Sequence, residues 1–153
     1  MRTFRQQGFT LIELVIVLML LGIMSAIALP RWAPADTTVS AQANRLARDL
    51  RHVQSMAMQQ GRTLTLDIQT AATYRATDSG SITVTDPATQ QPFTIAMDNN
   101  VTVSGIDTDF DSLGRPVASS TLLATPRIFT VTGNTTVATV TVSPVTGFIV
   151  VSP

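Results

Sequence analysis

GFTLIELVIVLMLLGIMSAIALP, residues 8–30, decides how the rest of the chain is read. From Phe9 to Leu29 it runs for 21 residues without Asp, Lys or Arg. At about 1.5 Å per residue, a helix of that length matches the roughly 30 Å hydrocarbon core of a bilayer. The stretch reads as a membrane-spanning helix. A secretory signal peptide is the competing reading, but its apolar core is shorter and an A-x-A-like cleavage site follows it. Here the distinctive features stand in front.

The first is a short basic leader, MRTFRQQG, ending in Gly8; the second is Glu13, set five residues further on inside the apolar run and the only Glu in the chain. A charged side chain at membrane depth costs about 2.5–3.5 kcal/mol on insertion scales, so a solitary Glu there needs a partner. No Lys, Arg or His lies within a turn of Glu13. Its counter-charge has to come from another subunit or from a newly freed amino terminus.

Gly8 followed by FTLIEL, a long apolar helix and the closing ALP of residues 28–30 resembles the prepilin signature of type IV pilins and type II secretion pseudopilins. The resemblance implies cleavage between Gly8 and Phe9 by a membrane-embedded prepilin peptidase, which also N-methylates Phe9. It implies that Glu13, fifth in the mature chain, pairs with the terminal amine of a neighbouring subunit during filament assembly. Pro30 matches the helix-kinking proline of the family. The expected partners are the peptidase, other major and minor pilins or pseudopilins, an inner-membrane assembly platform, and membrane lipid before assembly. The expected topology is single-pass in the bacterial inner membrane, N-terminus cytoplasmic and C-terminal domain periplasmic. Gly22 and Ala26, four apart, form a small-xxx-small pair that permits close helix packing, although ordinary membrane-helix composition also accounts for them.

The chain has 153 residues, leaving room beyond this helix for one domain of about 120 residues. All ten basic residues are Arg, against ten acidic residues. Removing Arg2 and Arg5 with the leader makes the product slightly acidic, which gives no general attraction to nucleic acid or anionic lipid. Arg2 and Arg5 before the helix also agree with the positive-inside rule. The chain has no Cys, which removes disulfides, thiolate metal sites and a Cys nucleophile. Many major pilins close a loop with a disulfide, so its absence favours a minor pilin or pseudopilin.

Beyond Pro30, Asp36 and Thr37 offer N-cap chemistry. Val39, Ala43, Leu46, Leu50, Val53 and Ala57 then recur at spacings of four and three, the stripe of an amphipathic helix that ends at Gly61. Arg45, Arg48, Asp49, Arg51 and His52 lie off that stripe and read as a solvated face, or as a contact surface to neighbouring subunits. After Gly61 the period becomes two. Strands are expected at 63–69, 81–85, 92–96 and 101–105, and a closing three-strand meander at 128–132, 136–143 and 148–151 with Gly133-Asn134 as a turn. The expected architecture is α+β, the pilin fold. It comprises a leader at 1–8, a transmembrane or filament-core helix at 9–30, its amphipathic continuation at 31–61, and an antiparallel β-rich domain at 62–153.

Several later features resemble the H-type pseudopilin and FimT-like minor pilin group: the Gln60-Gly61-Arg62 step, the Phe110-Asp111-Ser112-Leu113-Gly114-Arg115 turn and the closing hairpin with Gly147. Residues 21–32, LGIMSAIALPRW, are also similar to minor pilins of mannose-sensitive haemagglutinin-type pili. Asp107, Asp109 and Asp111 alternate and invite a calcium reading, but the EF-hand template fails at Ser112 and Ala118. The alternative is a turn capped by Asp111. His52, the sole histidine, follows Asp49 by three residues, yet no G-x-S-x-G elbow, phosphate-cradling loop or H-E-x-x-H motif is present. The chain is expected to be neither an enzyme nor a cofactor binder. Structural incorporation into a type IV pilus or a type II secretion pseudopilus is the leading function. A DNA- or glycan-binding minor pilin is the alternative; the DNA reading is disfavoured because no basic residue follows Arg127.

Overall fold

The computed structural model describes residues 10–28 and 35–153, with side chains at 10–24 and 38–153. Gly8, Phe9 and Pro30 lie outside the described residues. The chain divides into two units, 1–33 and 34–153.

In the first unit, helix α1 spans Leu11–Ala28. Thr10 starts it: the Glu13 amide donates to the Thr10 carbonyl at 3.1 Å and to its hydroxyl at 3.4 Å. This is half of a Thr-x-x-Glu capping box, and the first-turn carboxylate suits the positive end of the helix dipole. Apolar side chains cover the helix all round, and every described one from Leu11 to Met24 is exposed. A surface of that kind matches lipid or other helices, not water. Among the described residues no helix is long and apolar enough to cross a membrane. The 18 described residues of α1 reach about 27 Å at 1.5 Å each, just short of a hydrocarbon core.

The second unit is built around helix α2, Ala35–Gln60. Each member of the apolar stripe read from the sequence is buried, and Ala47 and Met56 widen it. Gly61, at φ 63°, ends the helix, and the Arg62 amide closes back on the Ala57 carbonyl at 3.3 Å, a Schellman cap.

Two antiparallel sheets meet the buried face of α2. One has strand order β3-β2-β1-β5-β6-β7, from Thr94–Ala96, Thr73–Asp78, Leu64–Thr70, Thr108–Phe110, Pro116–Ala118 and Thr121–Leu122. The other has order β10-β9-β8-β4, from Ile149–Ser152, Val137–Val142, Arg127–Thr132 and Thr102–Ser104. Period-two alternation puts Leu64, Leu66, Tyr74, Ala76 and Phe110 of the first sheet, and Phe129, Val131, Val140, Val142 and Ile149 of the second, into one core with the stripe of α2. The expected meander is present as β8-β9-β10, and β4 extends it.

The expected strands need correction in both directions, and the short strands β5, β6 and β7 were not among them. Residues 81–85 make only isolated bridges, Thr77 to Thr83 and Thr85 to Pro92, because the Asp78–Ser81 turn and Pro87 leave too short a run to form a ladder. Conversely, Thr73–Asp78 is a full strand that the sequence reading passed over. Its charged Arg75 stands opposite Asp67, 2.7 Å away across β1 and β2.

Candidate assembly site

Glu13 is exposed on α1, and its carboxylate has no ion-pair partner among the described residues. Gly22 lies nine residues further along the same helix, where an added Cβ meets nothing within 4 Å, so the helix surface carries an open notch. Both positions are available to a second helix. The sequence signal that was missed is local: Thr10 and Glu13 are three apart, the spacing of a capping box, so Glu13 also belongs to the start of its own helix.

The charged side of α2 is less free than its pattern implies. Arg45 reaches Asp98 at 3.1 Å and the Ala96 carbonyl at 3.4 Å. Arg51 donates to the Ile149 carbonyl at 2.8 Å. His52 bonds Asp86 at 3.1 Å and stacks on Phe93 with ring centroids 5.7 Å apart. The Asp86 carboxyl is held below its ordinary range, first by the Ala88 amide and then by His52 and Thr89. Asp49 accepts the hydroxyl of buried Tyr74 at 2.5 Å. Burial pushes the Asp49 carboxyl up, opposed by Tyr74 and by Arg45, Arg48 and His52. These side chains fasten the helix to β2, β3, β10 and the 86–93 loop. Arg48 alone of that group is exposed with no hydrogen bond or ion pair among the described residues.

The loosely matching features at Gly61, Gly114 and Gly147 converge on the last turns of α2. The Gln54 amide donates to the Gly114 carbonyl at 2.7 Å. A Cβ on Gly147 would sit 2.5 Å from Gln54 Nε2 and 2.8 Å from the Gly114 carbonyl; one on Gly114 would sit 2.8 Å from Met58 Sδ. Both glycines have positive φ, 75° at Gly114 and 67° at Gly147, so backbone conformation and space both require glycine. Gln54 is a residue that sequence reasoning overlooked. Its polarity on a half-buried helix face was the available clue.

The aspartate triplet is split by the fold. Asp107 accepts the Ile68 amide at 2.9 Å, and Asp109 accepts the Thr65 hydroxyl at 2.8 Å on the outer face of β5. Asp111 caps the following turn, accepting the amides of Leu113 and Arg115 and the Arg115 guanidinium, each at 2.9 Å. Burial works to raise the Asp111 carboxyl, but these donors outweigh it and hold it low. Among the described residues no three acidic or histidine side chains could hold one metal ion.

Known proteins share both parts of this arrangement. The prokaryotic N-terminal methylation motif matches residues 3–29, and the type II transport protein GspH family matches residues 42–147. Fimbrial protein EcpB of Eikenella corrodens is 49% identical over 47 residues, 31% of this chain and 28% of that protein's length. The type IV minor pilin FimU of Pseudomonas aeruginosa, in two crystal forms, aligns with TM-scores of 0.59 and 0.53 at 17% and 14% identity. Those alignments cover 77% and 74% of this chain and 90% and 92% of that one. The methylation motif followed by the GspH match places the chain among the type IV pilins and pseudopilins, and its α+β fold agrees. Within that class the chain belongs to the type II transport protein GspH family.

Proposed function

We propose that this chain is cut between Gly8 and Phe9 by a prepilin peptidase, N-methylated at Phe9, and held in the bacterial inner membrane through residues 9–30. The domain at 62–153 then faces the periplasm, with the helix at 31–61 leading to it. From there it joins a type IV pilus or type II secretion pseudopilus as a minor subunit, through the assembly platform and neighbouring pilins. It acts by packing, without catalysis of its own.

The observation that carries this reading is α1, a predominantly apolar helix with its described side chains exposed and one carboxylate, Glu13, in its first turn. In lipid the apolar surface is satisfied; in a filament, helices of other subunits replace the lipid. Glu13 then needs a cation at helix depth, and a neighbour's terminal amine supplies it. Pro30 matches the helix-kinking proline of the family by resemblance, and Gly22 lets a neighbour approach. DNA binding is poorly supported, since β9 and β10 carry no basic residue and Arg127 Nε is buried without a partner among the described residues.

Intact-mass measurement on protein from cells with and without the peptidase tests the processing step. The expected product with the enzyme begins at methylated Phe9. An unprocessed N-terminus in peptidase-competent cells overturns the proposal.

A further inference from the structure

The outer face of the first sheet, turned away from α2, holds an open groove of about 400 Å³. Cross-strand register sets Thr77, Thr65, Asp109 and Val117 in one row over β2, β1, β5 and β6. Asp67, Asp78 and Asp107 join that lining. The loop at Ser79–Ser81 and the turn at Ser119–Ser120 form its sides.

The charges in this groove do not balance. Asp67 is bridged to Arg75 at 2.7 Å and Asp78 to Arg62 at 3.3 Å. Asp107 and Asp109 have one oxygen each on the Ile68 amide and the Thr65 hydroxyl, and no ion pair among the described residues. Two uncompensated carboxylates in a concavity concentrate negative potential there. A second feature is independent of charge. Thr77 is only 3% exposed and lines the groove, yet its hydroxyl makes no hydrogen bond among the described residues. The hydroxyl keeps its small exposure on the groove side, so solvent or an occupant of the groove is what pairs it.

A metal ion is a poor match. It requires six or more oxygens at about 2.3–2.6 Å, whereas no three acidic groups here are gathered closely enough to hold one. An arginine side chain fits better. Its planar guanidinium can span a carboxylate and a hydroxyl, and its methylene stem can lie on Val117, which ends the row and is itself buried.

We propose that the Asp107–Asp109–Thr77 groove is a docking site for an arginine side chain presented by an adjoining polypeptide. Asp109 and Asp107 pair with the guanidinium, Thr77 accepts one of its N–H groups, and Val117 supports the stem. The site goes beyond the assembly reading, because it lies on the β-domain and requires neither processing nor Glu13.

The test titrates the peptide Ac-Gly-Arg-Gly-amide into isotope-labelled full chain in detergent micelles, following backbone amides by two-dimensional NMR. Saturable shifts are expected at Thr65, Thr77, Asp109 and Val117, and none with the neutral isostere in which citrulline replaces Arg. The pair Asp107→Asn and Asp109→Asn should weaken binding at least about tenfold, and the near-isosteric Thr77→Val should weaken it severalfold. Three results overturn the site: no saturable shift in the unaltered chain, equal binding of the citrulline peptide, or unchanged affinity in the double Asn variant. Calcium that moves the same amides and displaces the peptide overturns it in favour of a metal site. The unaltered-chain titration decides even if a variant does not fold.

Discussion

Tyr74 and Asp49 join β2 to α2 through one hydrogen bond across the core, and the two residues predict a distinctive pattern of stabilities. Tyr74 is fully buried and its hydroxyl donates to Asp49. Burial holds the Asp49 carboxyl above its ordinary value, so the folded state binds that proton more tightly than the unfolded chain does. The associated stability is fully present below the unfolded value, near 3.8, and is lost as pH rises through the folded value. At neutral pH an ionised Asp49 is therefore a net cost, whereas its role as acceptor for Tyr74 is a gain. Asp49→Asn retains an acceptor and discards the charge, so it should leave the chain at least as stable at pH 7. Its advantage should shrink toward pH 4. Asp49→Ala orphans a buried hydroxyl at about 1–3 kcal/mol, and Tyr74→Phe strips a donor from a half-buried carboxylate at about 1.5–3 kcal/mol. The double change should cost clearly less than the sum. Urea unfolding of the full chain in detergent, followed by circular dichroism, measures all four variants. If Asp49→Asn destabilises as much as Asp49→Ala, the carboxylate charge is favourable and the reasoning fails.

Four other perturbations have definite outcomes. Gly147→Ala puts a Cβ 2.5 Å from Gln54 Nε2 at a φ of 67°, and thermal melting should show a loss of about 2 kcal/mol or more. Val145 is exposed, β-branched and held at φ 66°, so Val145→Asn should raise stability by about 1 kcal/mol, and a fall would mean that the strain is absent. Because the Asp111 carboxyl is held below its unfolded value by Arg115 and the turn amides, its contribution is present above about pH 4 and lost as pH falls through the lower folded value. Asp111→Asn should accordingly be destabilised at pH 7 and converge with the unaltered chain in an acid unfolding series. Glu13→Ala should still be processed but should disappear from sheared filaments, since leaving a neighbour's amine buried without its partner costs about 3–5 kcal/mol; equal co-purification of both forms refutes the pairing.

Local rules were sufficient wherever a residue's environment follows from its near neighbours. The apolar run at 9–29, interrupted only by Thr10, Glu13 and Ser25, is enough to predict the helix α1. The stripe from Val39 to Ala57 predicts the face of α2 that becomes the core, because 3.6-residue periodicity puts those side chains on one side. Gly61 marks the end of α2 for the same local reason, as only glycine takes that backbone turn without strain. The closing meander was legible in the same way, and the prepilin signature by its resemblance to a family. The partners of residues far apart in the chain were not. Nothing near Leu64 says that it pairs with Phe110, or that β4 joins β8 across the chain to form a second sheet. Those choices minimise exposed apolar surface over the whole core, and any one segment contains only part of that sum. The same limit hid β2, whose Arg75 acquires its reason only opposite Asp67. It made the charged side of α2 look solvated when Asp98, Asp86, Tyr74 and the Ile149 carbonyl were waiting 25 to 98 residues away. And it let three alternating aspartates look like one cluster, when the end of β5 at Phe110 turns Asp111 toward Arg115 and leaves Asp107 and Asp109 facing the groove.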